Sequence, residues 1–260
     1  MGKTDMPPVV LLIAGNDPSG GAGLAADIQA VTAAGAHPAP VVAALTVQDS
    51  RDVSRVQAVA AELVLAQARA VLADMRVAAI KLGLLADAAT GRAVATLLRE
   101  HPGLPAVVDP VLAASGGTNL AEEALLAVYL KEIFPLATLI TPNAAESRRF
   151  APGGANPKAR GLALLKTGAR HVLIKGGDED GAEVHDHLLS HEGSHEELTG
   201  PRLPGGFHGS GCTLTSAIAA RLALGMGMSQ AVREGSHYTR VTLERAWALG
   251  QGRRIPNRRP

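Results

Sequence analysis

The feature that most constrains this chain is a series of short, unbroken apolar runs recurring along its length. VVLLIA at 9–14, PVVAAL at 40–45, VAAIKL at 77–82, AVVD at 106–109, LIT at 139–141 and HVLIK at 171–175 are continuous rather than alternating. Strands of this kind are buried on both faces, as in a parallel sheet flanked by helices. Between and after the runs lie longer amphipathic segments that predict helices over 21–34, 60–72, 86–99, 121–133, 144–150, 156–167, 211–224 and 229–248. Strand–helix alternation without a Pro/Gly/Ser linker predicts one α/β layered domain over 1–250, built on a mostly parallel sheet.

Two stretches break the pattern. Residues 183–206 are polar and rich in His and Glu, with no helical period. They predict an edge hairpin, with strands at 183–190 and 195–201, followed by a loop. The basic tail 251–260, with Arg253, Arg254, Arg258 and Arg259, reads as disordered.

Composition excludes several function classes. Lys plus Arg number 25 against 24 Asp plus Glu, so no global field draws the chain to nucleic acid or an anionic membrane. Aromatics make up 2%, too few for stacking on bases. The single cysteine precludes an internal disulfide and suits a reducing compartment. The N-terminal apolar run is too short to span a bilayer and lacks a cleavage pattern, which predicts a soluble cytoplasmic protein.

Two glycine-rich loops carry chemistry. The first, Gly15-Asn-Asp-Pro-Ser-Gly20-Gly21-Ala-Gly23, follows the first strand. It has neither the Lys-Ser/Thr of a Walker loop nor the spacing of a dinucleotide fingerprint. It is either a plain turn or a ligand turn at the sheet's C-terminal edge. The second, Gly205-Gly-Phe-His-Gly209-Ser210-Gly211-Cys212, opens a helix. Backbone amides and the helix dipole there favour an anion. Cys212 falls in the first turn, where the dipole lowers a thiol's pKa; the alternative is an inert buried cysteine.

Asp109, Asn143, Glu146 and Lys175 lie at or just past apolar runs, so a parallel sheet would gather them at one edge. Asn143 and Glu146 are spaced to share a helix face. Carboxylates and an amide there suit Mg²⁺, and a lysine suits a triphosphate. Together they point to phosphoryl transfer. His185, His187, His191 and His195 invite a zinc site, but no cysteine or spaced carboxylate completes one, and a solvated hairpin accounts for them.

These motifs resemble, in order, those of the ribokinase superfamily and specifically the hydroxymethylpyrimidine/phosphomethylpyrimidine kinases. The matching pieces are AGNDPSGGAGLAADIQA at 14–30, ALTVQDS at 44–50, IKLGLLAD at 80–87, VVDPVLAASGG at 107–117, LITPNAAES at 139–147, VLIKGG at 172–177 and HGSGCTLTSAIAA at 208–220. The resemblance implies a ribokinase-like three-layer sandwich, ATP and Mg²⁺ as cofactors, and a homodimer. It implies that Gly15, Asp27, Gln48, Leu84 and Val111 bind the pyrimidine. It assigns Asp109, Asn143, Glu146, Lys175 and Ser210 to ATP and its metal, with Asp109 and Glu146 as metal ligands. Gly209, Ser210 and Gly211 become the anion hole, and Cys212 the catalytic base for the hydroxymethyl group. The chain departs from the family at Asn16, Phe207 and Ser210, and most over 183–206. Two rivals are a pyridoxal kinase of the cysteine-bearing type and a non-catalytic pyrimidine sensor on the same fold.

Overall fold

The computed structural model describes residues 6–112 and 123–259. Among the described residues nine strands form one sheet in the order β3-β2-β1-β4-β5-β6-β7-β8-β9. The strands are β1 Val9–Asn16, β2 His37–Gln48, β3 Val53–Ala58, β4 Val77–Leu82, β5 Ala106–Val108, β6 Leu139–Ile140, β7 His171–Ile174, β8 Glu183–Ser190 and β9 His195–Pro201. β2, β1, β4, β5, β6 and β7 are parallel to their neighbours, while β3, β8 and β9 pair antiparallel at the two edges. The β8–β9 hairpin has the bounds the sequence predicts. β3 was not predicted: its sequence VSRVQA is short and largely exposed, and it is held by pairing with β2 rather than by apolar content.

Helices cover both faces. α1 Gly23–Ala33, α7 Ser210–Ala223 and α8 Met228–Glu244 line one; α2 Ala61–Asp74, α3 Ala88–Glu100, α4 Glu123–Val128, α5 Ala144–Phe150 and α6 Pro157–Leu165 line the other. Strand alternation divides the core between them. Val10, Leu12 and Ala14 of β1 pack with Leu24, Leu214 and Ile218, while Leu11 and Ile13 pack with Val64 and Val94. That two-sided burial is why the runs are continuous. The predicted helix over 121–133 starts outside the described residues. Within them α4 gives way to a π turn, Tyr129–Ile133, and a 3-10 turn, Phe134–Leu136, with Pro135 near its start.

The tail corrects the disorder expected for it. α8 stops at Glu244, and Trp247 pairs with Ile255 as the chain doubles back. Arg254 N donates to Gly206 O, and His208 N to Arg254 O. Ile255 and Arg258 are buried. A charge-rich composition suggested solvation, but backbone pairing and one buried arginine hold the segment down.

Candidate active site

The strand order reverses at β1, with β2 on one side and β4 on the other. Open α/β sheets bind ligands outside the carboxyl ends of their strands at such a point. The two glycine-rich loops meet there. Gly209 is the N-cap of α7, with φ +81° in the left-handed region. A side chain on Gly209 would run into Gly21 O, and one on Gly21 into the His208 ring. Both glycines are therefore required by the close approach of the loops. The first-turn amides of Ser210, Gly211 and Cys212 have no acceptor within their own helix, as at any helix N-terminus.

Lys175 and Asp109 stand beneath this turn. Lys175 Nζ donates to Asp109 Oδ1 at 2.7 Å, and both side chains are largely buried. Asp109 and Glu146 raise the lysine's affinity for its proton despite burial, which acts the other way. A Cβ on Gly211 would lie 3.1 Å from Lys175 Nζ and 3.5 Å from Asp109 Oδ2. Glycine thus lets the ion pair come up to the helix start.

Asn143 and Glu146 form a reciprocal capping box at the start of α5: Asn143 Oδ1 accepts from Glu146 N, and Glu146 Oε2 accepts from Asn143 N, each at 2.8 Å. Glu146 Oε1 also accepts from Leu112 N at 3.3 Å. Burial pushes its carboxyl up to about 7. Both Glu146 oxygens are thus engaged, whereas Asp109 Oδ2 has no hydrogen-bond partner among the described residues. Of the two metal ligands expected, Asp109 has the free donor and Glu146 orients the turn around it.

The structure brings Gly15 and Leu84 together: a Cβ on Gly15 would be 3.0 Å from Leu84 Cδ2. Val111 follows Asp109 by two residues and is half-buried. The Gln48 amide lies 2.7 Å from His208 Nε2, which also lies 2.8 Å from Asp17 Oδ2. His208 thereby joins the end of β2 to both loops. Burial raises the Asp17 pKa, but hydrogen bonds from His208 and Ser19 outweigh it and hold the carboxyl below its usual value.

Asp27, expected to hydrogen-bond the pyrimidine, is fully buried and paired within the protein. Its side chain has no exposed surface; Lys81 Nζ lies 2.8 Å from each of its oxygens, and Ser216 Oγ donates to Oδ1 at 2.7 Å. Burial alone favours the neutral lysine, but the adjacent carboxylate keeps Lys81 protonated. Sequence reasoning missed Lys81. The signal was a lysine interrupting VAAIKL at the same strand parity as Ala79, on the α1/α7 face.

The thiol also corrects an expectation. Cys212 is in the first turn of α7, as predicted, but its pKa is not lowered. Desolvation is the largest influence and Asp27 and Asp109 add to it, so the thiol is pushed up to about 11 although Lys81 and the Gly23 amide favour the thiolate. In the hairpin, His185 pairs with Glu197 and His187 stacks on His195. No cluster of three or more metal-ligating side chains is found among the described residues, and none of their helices is long and apolar enough to cross a membrane.

Two glycine-rich loops converging on a carboxylate–lysine pair at the carboxyl edge of such a sheet suit a small-molecule kinase of the ribokinase-like class. The fold matches pyridoxal kinase from Staphylococcus aureus, solved with pyridoxal, with a TM-score of 0.88 at 25% identity, covering 97% of this chain and 93% of that one. The chain belongs to the phosphomethylpyrimidine kinase family, whose model matches residues 17–257. The hydroxymethylpyrimidine/phosphomethylpyrimidine kinase of Rhizobium meliloti is 40% identical over 95% of this chain and 96% of its own length. The thiamine biosynthesis bifunctional protein of Geobacter sulfurreducens is 37% identical over 94% of this chain, which spans 50% of that protein.

Proposed function

We propose that the protein transfers the γ-phosphoryl group of ATP to 4-amino-5-hydroxymethyl-2-methylpyrimidine, to its monophosphate, or to both in turn, within thiamin biosynthesis. The observation that carries this reading is the placement of Lys175 and Asp109 directly under the Gly209–Cys212 turn. The family membership and the relatives' names support the pyrimidine over pyridoxal, since the pyridoxal kinase is matched at lower identity.

Phosphoryl transfer asks little covalent chemistry of a protein and much positioning and charge stabilisation. The amides of 210–212 hold the transferring group, and Lys175 neutralises charge beside it. Asp109, with one carboxylate oxygen unbonded among the described residues, suits Mg²⁺, which binds through one or two carboxylates plus phosphates, and Glu146 lies beside it as the second carboxylate. Bound Mg²⁺ would supply charge neutralisation on the phosphates. Gly15, Leu84 and Val111 form the apolar floor for the ring. Gln48 hydrogen-bonds its polar edge, and Asp27 acts from beneath with its charge held by Lys81.

The hydroxymethyl oxygen must lose a proton, and the Cys212 thiolate accepts it. A thiol with a pKa near 11 is a strong base when ionised and scarcely ionised at neutral pH. A phosphate monoester, with its second pKa near 6, needs no such base. A cytoplasmic homodimer belongs to the same reading, supported by the lone cysteine and by Leu45 and Val47 exposed on β2. Incubation with ATP, Mg²⁺ and hydroxymethylpyrimidine, followed by product analysis, tests the proposal. Phosphorylated pyrimidine is expected; transfer to pyridoxal alone, or no ATP turnover, would overturn it.

A further inference from the structure

Arg258, near the C-terminal end, has the largest side chain in the fully buried core. Its Nη2 donates to Gly21 O at 2.5 Å, and its Nε to Thr213 Oγ1 at 2.7 Å. Longer contacts reach Gly20 O and Gly209 O, each at 3.5 Å. One guanidinium therefore ties the first glycine loop to the start of α7. The approach is fixed from behind: Tyr238 Oη donates to Arg258 O at 3.1 Å, and Asn257 N to Thr242 O at 3.0 Å.

Two features set this arginine apart from a packing residue. First, among the described residues no carboxylate forms an ion pair with it. Its partners are carbonyls and a hydroxyl, although a buried cation is ordinarily paired. It lies beside the positive end of the α7 dipole, where a cation is disfavoured. Asp27 and Asp17 act on it only at longer range, so the cation at this helix N-terminus still favours an anion close by. Second, its hydrogen bonds lead to the cradle. Arg258 Nε donates to Thr213 Oγ1, and Thr213 Oγ1 donates to Gly209 O at 2.8 Å. The Gly209 carbonyl belongs to the same peptide unit as the Ser210 amide. Hydrogen bonds in such a chain polarise one another, so a charged donor at one end strengthens the Ser210 N–H as a donor at the other.

We propose that Arg258 is a positioning residue for phosphoryl transfer: it locks the two glycine loops together and sets the positive potential of the anion cradle from behind, without touching the phosphate. This rests on the assignment of the 209–212 turn as the phosphoryl site. It makes the last residues of the chain part of the active site's support.

The test compares wild type with Arg258→Gln, Arg258→Lys, Arg258→Ala and Tyr238→Phe. Turnover is measured with ATP and hydroxymethylpyrimidine, inorganic phosphate binding by calorimetry, and folding by thermal melts. Arg258→Gln weakens a cradle donor without removing it, so kcat is expected to fall about 10-fold, below the 10²- to 10³-fold of losing an oxyanion-hole donor outright, with KM for the pyrimidine changed less than about threefold because uniform binding is untouched. Phosphate binding should weaken at least about tenfold, about the scale of one charge-assisted hydrogen bond. Arg258→Lys should fall between the two, and added guanidinium should partly restore Arg258→Ala. Tyr238→Phe removes one of the two hydrogen bonds that fix Arg258 from behind, so its melt should drop and its kcat should fall less than that of Arg258→Gln. If Arg258→Gln loses activity only in proportion to unfolded protein, or loses kcat while binding phosphate normally, the proposal is overturned. If wild type turns over no pyrimidine, the phosphoryl reading fails; equal phosphate affinity in wild type and Arg258→Gln would then refute the cradle role separately.

Discussion

Lys81 Nζ lies 2.8 Å from both carboxylate oxygens of Asp27, and neither side chain has solvent-accessible surface. The pair spans from β4 to α1 directly below the head of α7, with Ser216 completing it. Removing one partner strands the other charge in the core. Lys81→Ala should therefore cost about 3–5 kcal/mol of stability, measured by urea unfolding. Replacing both together, Lys81→Met with Asp27→Leu, should recover most of that loss. A small effect of Lys81→Ala would mean that the pair opens to water.

Gly211 separates stability from activity. Alanine at this helical position gains up to about 1 kcal/mol of helix propensity, but its Cβ would press on Lys175 Nζ at 3.1 Å. Gly211→Ala should melt no lower than wild type and lose up to about 10-fold in kcat, because Lys175 must give by only a few tenths of an ångström, short of the 1 Å that costs about 100-fold.

In the proposed function Lys175 supplies the charge beside the transferring group. Lys175→Met should lower kcat by about 10²–10³-fold, with KM for the pyrimidine little changed. A rise in KM at constant kcat would instead assign Lys175 to uniform binding.

Cys212 makes its protonation state measurable, because it is the chain's sole cysteine. Alkylation by iodoacetamide should increase through about pH 11, not through the ordinary thiol value of 9.0. The linkage sign follows. The unfolded thiol ionises near 9.0 and the folded one near 11, so the folded state holds the extra proton between them. This group's contribution is complete below about pH 9 and declines as pH rises towards 11. The hydroxymethyl step should accelerate about tenfold per pH unit below 11, because the thiolate fraction does, while the second phosphorylation stays flat. Cys212→Ala should lose the slope of the first step and leave the second step unaltered.

Much of this arrangement was legible in the sequence because it rests on local patterns. Continuous apolar runs pointed to the parallel sheet, and the residues after the runs, with the glycine loops, pointed to the edge where Gly209, Gly211, Asp109 and Lys175 converge. What stayed hidden depends on long-range pairing. β3 is held by β2, so its own residues carry little signal. Asp27 looked available until Lys81, 54 positions away, closed over it. The tail's arginines read as solvated because composition cannot show that Arg258 finds the carbonyls of loops more than 200 residues earlier. The thiol's shift was misjudged because the dipole is visible from sequence and desolvation is not.

The most direct measurement is kcat/KM for ATP turnover with hydroxymethylpyrimidine, its monophosphate and pyridoxal side by side, in wild type and Lys175→Met. At least one pyrimidine should exceed pyridoxal clearly, and the lysine variant should lose turnover with every active substrate. Preferred turnover of pyridoxal, or wild-type rates in Lys175→Met, would contradict a pyrimidine kinase built on the Gly209–Cys212 cradle.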